Sequence, residues 1–308
     1  MMDKTDWKLL KEIAELEKTP QGAYNIRRNG ELDSRASTAN IEITTKTEPG
    51  KSGIDIRIKP GTKRESVHIP VIITQTGLTE MVYNDFYIGE DCDVDIVAGC
   101  GIHNSGCETA QHDGVHTFYV GKRSKVRYVE RHYGEGEGTG KRIMNPQTVV
   151  YLEEGASIEL ETTQIRGVDS TKRETKVVVG AGAEVVITEK LLTHGSQIAE
   201  SDMDVILDGP GASGRVISRS VAQDQSVQVF YPRVTGNSDC FGHVQCDSII
   251  MGDAKIKSIP AIVANHVDAQ LVHEAAIGRI AGDQILKLMT LGLTEEEAEE
   301  KILDGFLQ

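Results

Sequence analysis

Apolar residues recur at helical spacing only near the two ends of the chain, and alternate with polar ones through most of what lies between. Trp7, Leu9, Leu10, Ile13 and Leu16 share one face of a helix predicted over residues 5–18, with Asp3 or Thr5 as its cap and Thr19-Pro20 as its stop. Residues 20–40 show no clean period and read as a connecting loop. From Asn40 the period changes to two, through Ile41, Ile43 and Thr45, then Ile54, Ile56 and Ile58, then His68, Pro70 and Ile72. After Pro260 the helical period returns. A helix starting at Asn265 or Asp268 is predicted through Ile280, and a second from Asp283 to Thr290, stopped by Gly292. Thr294-Glu295-Glu296-Glu297 is a capping box that opens a third helix, with Ala298, Ile302, Leu303 and Phe306 facing inward.

The alternating region repeats. An apolar strand, a small turn rich in Gly, Ala or acids, and another alternating strand recur at Phe86–Val94, Tyr119–Val126, Tyr151–Ile158, Val178–Val185 and Ile249–Ile256, with a looser copy at Gly209-Pro210-Gly211-Ala212. The first apolar anchors after the turn, Val94, Val126, Ile158 and Val185, are 32, 32 and 27 residues apart. A period of about 30 residues, with one such corner per unit, predicts a β-solenoid whose coils bury their open faces by stacking. An antiparallel sandwich with coincidental spacing is the alternative. The expected organisation is an N-terminal helix and linker over 1–40, a β core over 41–262, and a C-terminal helical domain over 263–308.

Composition narrows the function. A net charge of -14 disfavours nucleic acid and anionic lipid as main partners. No stretch approaches the roughly 20 apolar residues of a membrane span, and acids stand where a signal peptide would carry bases. Five cysteines without an export signal point to free or metal-bound thiols in a reducing cytoplasm. Gly134 to Arg142 is not a phosphate loop, because Glu135 replaces the required glycine and Arg142 the magnesium-binding hydroxyl. No G-x-S-x-G elbow is present either, so a hydrolase is disfavoured.

Two groups carry candidate chemistry. Cys246, His273 and Glu274, with Cys240 and His243 close by, offer thiol, imidazole and carboxylate ligands suited to iron–sulfur clusters, zinc or copper(I). The alternative is a buried small Cys246 and a solvated helix face at His273-Glu274. Cys92, Cys100 and Cys107 form the second group, followed by His103, His112 and His116; without a C-x-x-C knuckle it is no ordinary zinc ribbon. Gly99-Cys100-Gly101 is expected to let a ligand approach closely.

With these residues placed, the chain resembles the SufB/SufD family of iron–sulfur cluster assembly scaffolds. The resemblance rests on Cys246-Asp247-Ser248, Gly252, Ile259-Pro260, His273-Glu274-Ala275, Gly278, Ile280, Asp283-Gln284, Leu291 to Ala298 and Gly305-Phe306. It implies a right-handed parallel β-helix followed by a small helical domain. It also implies docking of the terminal helices on an ABC-type ATPase, pairing of two scaffold chains, and a cluster near their junction. Cys246 and Glu274 would be its ligands, with His273 close by. The neighbourhood matching the family's sulfur-accepting cysteine, Arg166-Gly167-Val168-Asp169-Ser170, holds no cysteine. Sulfur or ligand duty would then fall to Cys92, Cys100 and Cys107. The expectation is a scaffold without catalytic activity of its own. It would hold a cluster, favoured as [4Fe–4S], and pass it to acceptor apoproteins. A homodimer is expected through strands around residues 215–260. A SufD-like structural adaptor, or a carbohydrate-binding β-helix without a cluster, is the alternative.

Overall fold

The computed structural model describes residues 2–307, the side chains of Ile165 and Arg166 excepted. Helix α1 (Lys4–Ala14) is capped by Asp3, whose carboxylate accepts from the Asp6 amide while Asp6 reciprocates. The strands that follow are β1 (Ala23–Arg28), β2 (Glu31–Ala36), β3 (Ile41–Thr45), β4 (Gly53–Ile58), β5 (Lys63–Ile73), β6 (Thr79–Ile88) and β7 (Asp93–His103). Next come β8 (Ala110–Val120), β9 (Lys125–Glu135), β10 (Arg142–Met144), β11 (Gln147–Leu152), β12 (Ser157–Arg166), β13 (Ser170–Val179) and β14 (Glu184–Thr193). The remainder are β15 (Ile198–Leu207), β16 (Ala212–Ala222), β17 (Val227–Gly236), β18 (Cys240–Ile250), β19 (Lys255–Ser258), β20 (Ala261–Ala264) and β21 (Gln270–Gly278), then α2 (Gly282–Met289) and α3 (Glu295–Leu307).

From β4 onwards the chain alternates between two sheets, β10–β11 and β19–β20 each counting as one pass: one sheet is ordered β2-β1-β5-β7-β9-β12-β14-β16-β18-β21, the other β19-β17-β15-β13-β10-β8-β6-β4-β3, with β11 beside β13 and β8 and β20 beside β17. Except for the β1–β2 and β3–β4 pairs, which are antiparallel, strand pairing is parallel. The result is a β-solenoid of about eight turns. The spaced anchors are direct partners: Val94 pairs with Val126, Val126 with Ile158, and Ile158 with Val185. Their inward side chains form one continuous apolar core. Phe86 and Phe118 stack inside it at 4.3 Å.

Two expected boundaries move. Residues 20–40 are not a loop, because β1 and β2 form a hairpin turned by Asn29 and Gly30 (φ 49° and 83°), and β1 joins the parallel sheet beside β5. Residues 265–280 are not a helix: β21 lies parallel to β18, so pairing with the previous coil overrides local helical spacing. The strand body therefore runs from Ala23 to Gly278, beyond the expected 41–262. The third helix is as read, with Thr294 and Glu297 exchanging both capping-box bonds and Ala298 and Leu303 buried. Leu303 and Leu307 anchor it against Val221.

Helix α1 lies on the outer face of β7 and β9, where Gly99 and Gly101 make room for it. A Cβ at Gly99 would stand 2.9 Å from Ile13 Cβ, and one at Gly101 3.1 Å from Leu9 Cβ. These glycines seat a helix rather than admit a ligand. Gly134 and Glu135 end β9 and Arg142 opens β10; only residues 136–141 between them form the bend, and the Gly138 and Gly140 amides donate to the Asn104 and Gly106 carbonyls of the preceding coil.

Candidate functional site

Parallel pairing places side chains from successive coils in rows, and one inward row is polar. Glu130 pairs with Thr162, Thr162 with Glu189, Glu189 with Ser218, and Ser218 with Cys246. The row ends at the final coil, where His273, two places before the partner of Cys246, faces the same interior. The Cys246 thiol and His273 Nε2 are 3.4 Å apart, with Cys246 buried and His273 half-buried. Burial pushes the thiol up to about 12. The Glu189 and Asp247 carboxylates add to the rise. Burial, then the neighbouring His243, lower the affinity of His273 for a proton. The thiol is therefore the donor and the imidazole the acceptor.

Glu274 and His243 sit one residue out of phase, on the outer face of the same sheet. Glu274 Oε1 lies 3.3 Å from His243 Nε2, in ion contact without hydrogen-bond geometry. The structure thus joins Cys246 to His273 but turns Glu274 to the other side of the strand. Cys240 lies inward at the start of β18.

Cys92, Cys100 and Cys107 do not converge. Cys92 is buried at a corner, its thiol 3.2 Å from the Lys59 carbonyl. Cys107 is exposed on the loop before β8. Cys100 points inward among Val71, Ile102 and Met144. Burial, then the Glu80 and Glu130 carboxylates, hold its thiol well above the usual range. It lies five strand steps from Cys246, about 24 Å at the usual ~4.8 Å spacing. Among the described residues, no three His, Cys, Asp or Glu side chains are already arranged to hold a metal ion. Of the neighbourhood without a cysteine, the Arg166 side chain lies outside the described residues, while Asp169 pairs with Arg142 at 2.8 Å.

The sequence reading missed the interior charges. Arg173 Nη1 donates to Glu130 at 2.5 Å and its Nε lies 3.9 Å from Glu189, which accepts from Ser201 at 2.8 Å and Ser218 at 3.1 Å. Burial opposes the Glu130 charge, but Arg173 and then His132 hold it well below the usual carboxylate range. The available signal was polar residues at inward repeat positions.

Residues 73–306 match the family model described as SUF system FeS cluster assembly, SufBD core domain. The chain is 27% identical over 270 residues to an iron-sulfur cluster assembly SufBD family protein of Methanocaldococcus jannaschii, covering 87% of this chain and 84% of that one. It is 25% identical over 282 residues to one from Methanothermobacter thermautotrophicus, covering 90% and 67%. A third, from Staphylococcus saprophyticus, is 22% identical over 223 residues, covering 71% and 45%.

Proposed function

Because this chain belongs to the SufBD family and so has its place in iron–sulfur cluster assembly, we propose that it is the scaffold on which a cluster is built and from which it is passed on. The observation that carries this reading is the Cys246–His273 pair at the last, open coil. A thiolate is a strong ligand for iron and sulfide, and an imidazole is a weaker, exchangeable one. Iron and sulfide are cargo here. Metal binding displaces the thiol proton to solvent, since His273 ligates only as the neutral imidazole.

An iron–sulfur cluster takes about four protein ligands, while one chain offers two on this face. Two chains meeting at their last coils would supply the rest. The strands there, β21 on one sheet and β19 on the other, have a neighbour on one side only, and Val272, Ile262, Val263 and Ile277 are exposed. Glu274, on the outer face, would act as a replaceable ligand once a partner chain closes over the end. The nuclearity favoured is [4Fe–4S].

Helix α2 leaves Leu286 and Met289 exposed, as is Leu291 just after it. A helix with no buried residue and these apolar side chains on its surface suits docking to an ABC-type ATPase, whose binding of ATP would alter the spacing of two paired scaffolds. No helix among the described residues is long and apolar enough to cross a membrane. A carbohydrate-binding reading needs open aromatic faces. The row of half-buried Tyr87 and exposed Tyr119 and Tyr151 instead stacks ring on ring at 5.2 and 5.5 Å.

The test is anaerobic reconstitution with iron and sulfide. Cys246→Ser should lose most of the cluster while its circular dichroism is unchanged, since oxygen replaces sulfur with little change in volume. Full iron and sulfide content in that variant would refute the scaffold site.

A further inference from the structure

Helices α1 and α3 both pack on the sheet that carries Cys246. On the outer face of the other sheet, strand register aligns Arg57, Tyr87, Tyr119, Tyr151 and Val178, one from each strand. The Arg57 guanidinium lies 4.3 Å from the centre of the Tyr87 ring, and the three rings follow one another at 5.2 and 5.5 Å. Every ring face but the last, on Tyr151, is thus covered. What stays open is ring edge and hydroxyl, with Tyr119 and Tyr151 43% and 41% exposed. None of the three hydroxyls has a hydrogen-bond partner among the described residues.

Beside the rings the chain turns its corners on Gly89 and Gly121. A Cβ would stand 2.5 Å from the Pro60 nitrogen at residue 89 and 2.8 Å from the Gly89 carbonyl carbon at residue 121, so both corners stay bare. Rings and bare corners bound a trough of about 490 Å³ that runs from Arg57 and Pro60 to Glu153. It spans three strand steps of ~4.8 Å, about 14 Å in all.

Three unpaired hydroxyls call for acceptors. An α-helix keeps its carbonyls bonded internally, and a β-strand repeats every ~6.8 Å, out of step with the coils. A polyproline II helix has no internal hydrogen bonds, and its turn of about 9.3 Å matches two coil steps. Side chains three residues apart along it would meet Tyr87 and Tyr151 alike. At the Tyr151 end, Val178 is too short to cover the ring as Arg57 covers Tyr87, and Glu153 has no partner among the described residues. An open aromatic face beside a free carboxylate is what holds a guanidinium or ammonium group. We propose that this trough docks a proline-rich segment of a partner protein in the polyproline II form, with an arginine or lysine at its Tyr151 end. A partner held there sits on the flank of the solenoid and leaves the open end with Cys246 free.

The test titrates the full chain into a fluorescein-labelled oligoproline carrying an arginine at one end, followed by fluorescence anisotropy. Saturable binding is expected, roughly 10-fold or more tighter than for the same peptide with alanines in place of prolines, whose charge is equal but whose backbone is not pre-organised. Tyr119→Ala should weaken it roughly 10-fold or more, as loss of a central aromatic anchor does. Glu153→Gln should bring the arginine-bearing peptide down to the affinity of plain oligoproline. Absence of saturable binding, equal affinity for the proline and alanine peptides, or undiminished binding by Tyr119→Ala would each overturn the site. So would displacement of the peptide by a maltooligosaccharide, which would make the occupant a sugar. The comparison of peptides uses the unaltered chain, so it decides even if Tyr119→Ala misfolds. None of these outcomes bears on cluster assembly at Cys246.

Discussion

At the residue scale, burial favours the neutral forms of His116 and His132, while Arg173 and His132 hold Glu130 charged, and this sets how the fold responds to acid. Burial holds His116 down to about 4, against the pull of Glu130. Its contribution to stability is complete above the free-histidine value of about 6.5 and is lost as pH falls towards 4. The loss expected from this one group is on the order of 3 kcal/mol. Glu130 is held low, so its share disappears only further into acid. Thermal melts from pH 7 to 4 should fall steeply, and His116→Gln should flatten the upper part of that fall. Parallel curves for the two proteins would mean the ring does not titrate in this way. Cys246 and His273 were legible in the sequence because their residue types are rare and lie near each other in the chain. Glu130, Arg173 and Glu189 were not, because each looks like an ordinary surface charge until strand register turns it inward.

Elements show where period alone succeeds. The Thr294 capping box and the anchors from Val94 to Val185 could be read directly, since cap and repeat are local patterns. Strand β21 could not, because Leu271 and Ala275 also stand four apart, as they would on a helix, and only the β18 edge decides between the two readings. The hairpin at Asn29-Gly30 carried a strong local turn signal that the missing alternation around it obscured. Helix α1 offers a sharp test of element packing. A Cβ at residue 99 would lie 2.6 Å from the Arg131 carbonyl and 2.9 Å from Ile13, so Gly99→Ala should lift α1 and cost about 1–3 kcal/mol. Trp7, the only tryptophan, sits on that helix and reports its movement. Unchanged Trp7 emission together with an unchanged melting temperature would contradict this packing.

Over the whole molecule, the two ends differ. Antiparallel hairpins close the first coils, while the last coil keeps open strand edges. Light scattering should therefore give a dimer, alone or with the ATPase, and a monomer in both conditions would count against closure by a second copy. Deleting residues 281–308 should abolish co-purification with the ATPase and spare the β body. Retained co-purification would place the docking surface elsewhere.

Stacked coils also act as a ruler. Between the strand that seats α1 and the strand that carries Cys246 there are five steps, each one backbone spacing of ~4.8 Å, and loop length does not enter. Glu184 and Ser213 are register partners, so a duplicated coil of matching length would shift Cys246 by one graduation and leave both neighbourhoods as they were. The reach of this molecule is thus adjustable only in whole units, and a paired scaffold built on it would inherit the same increments.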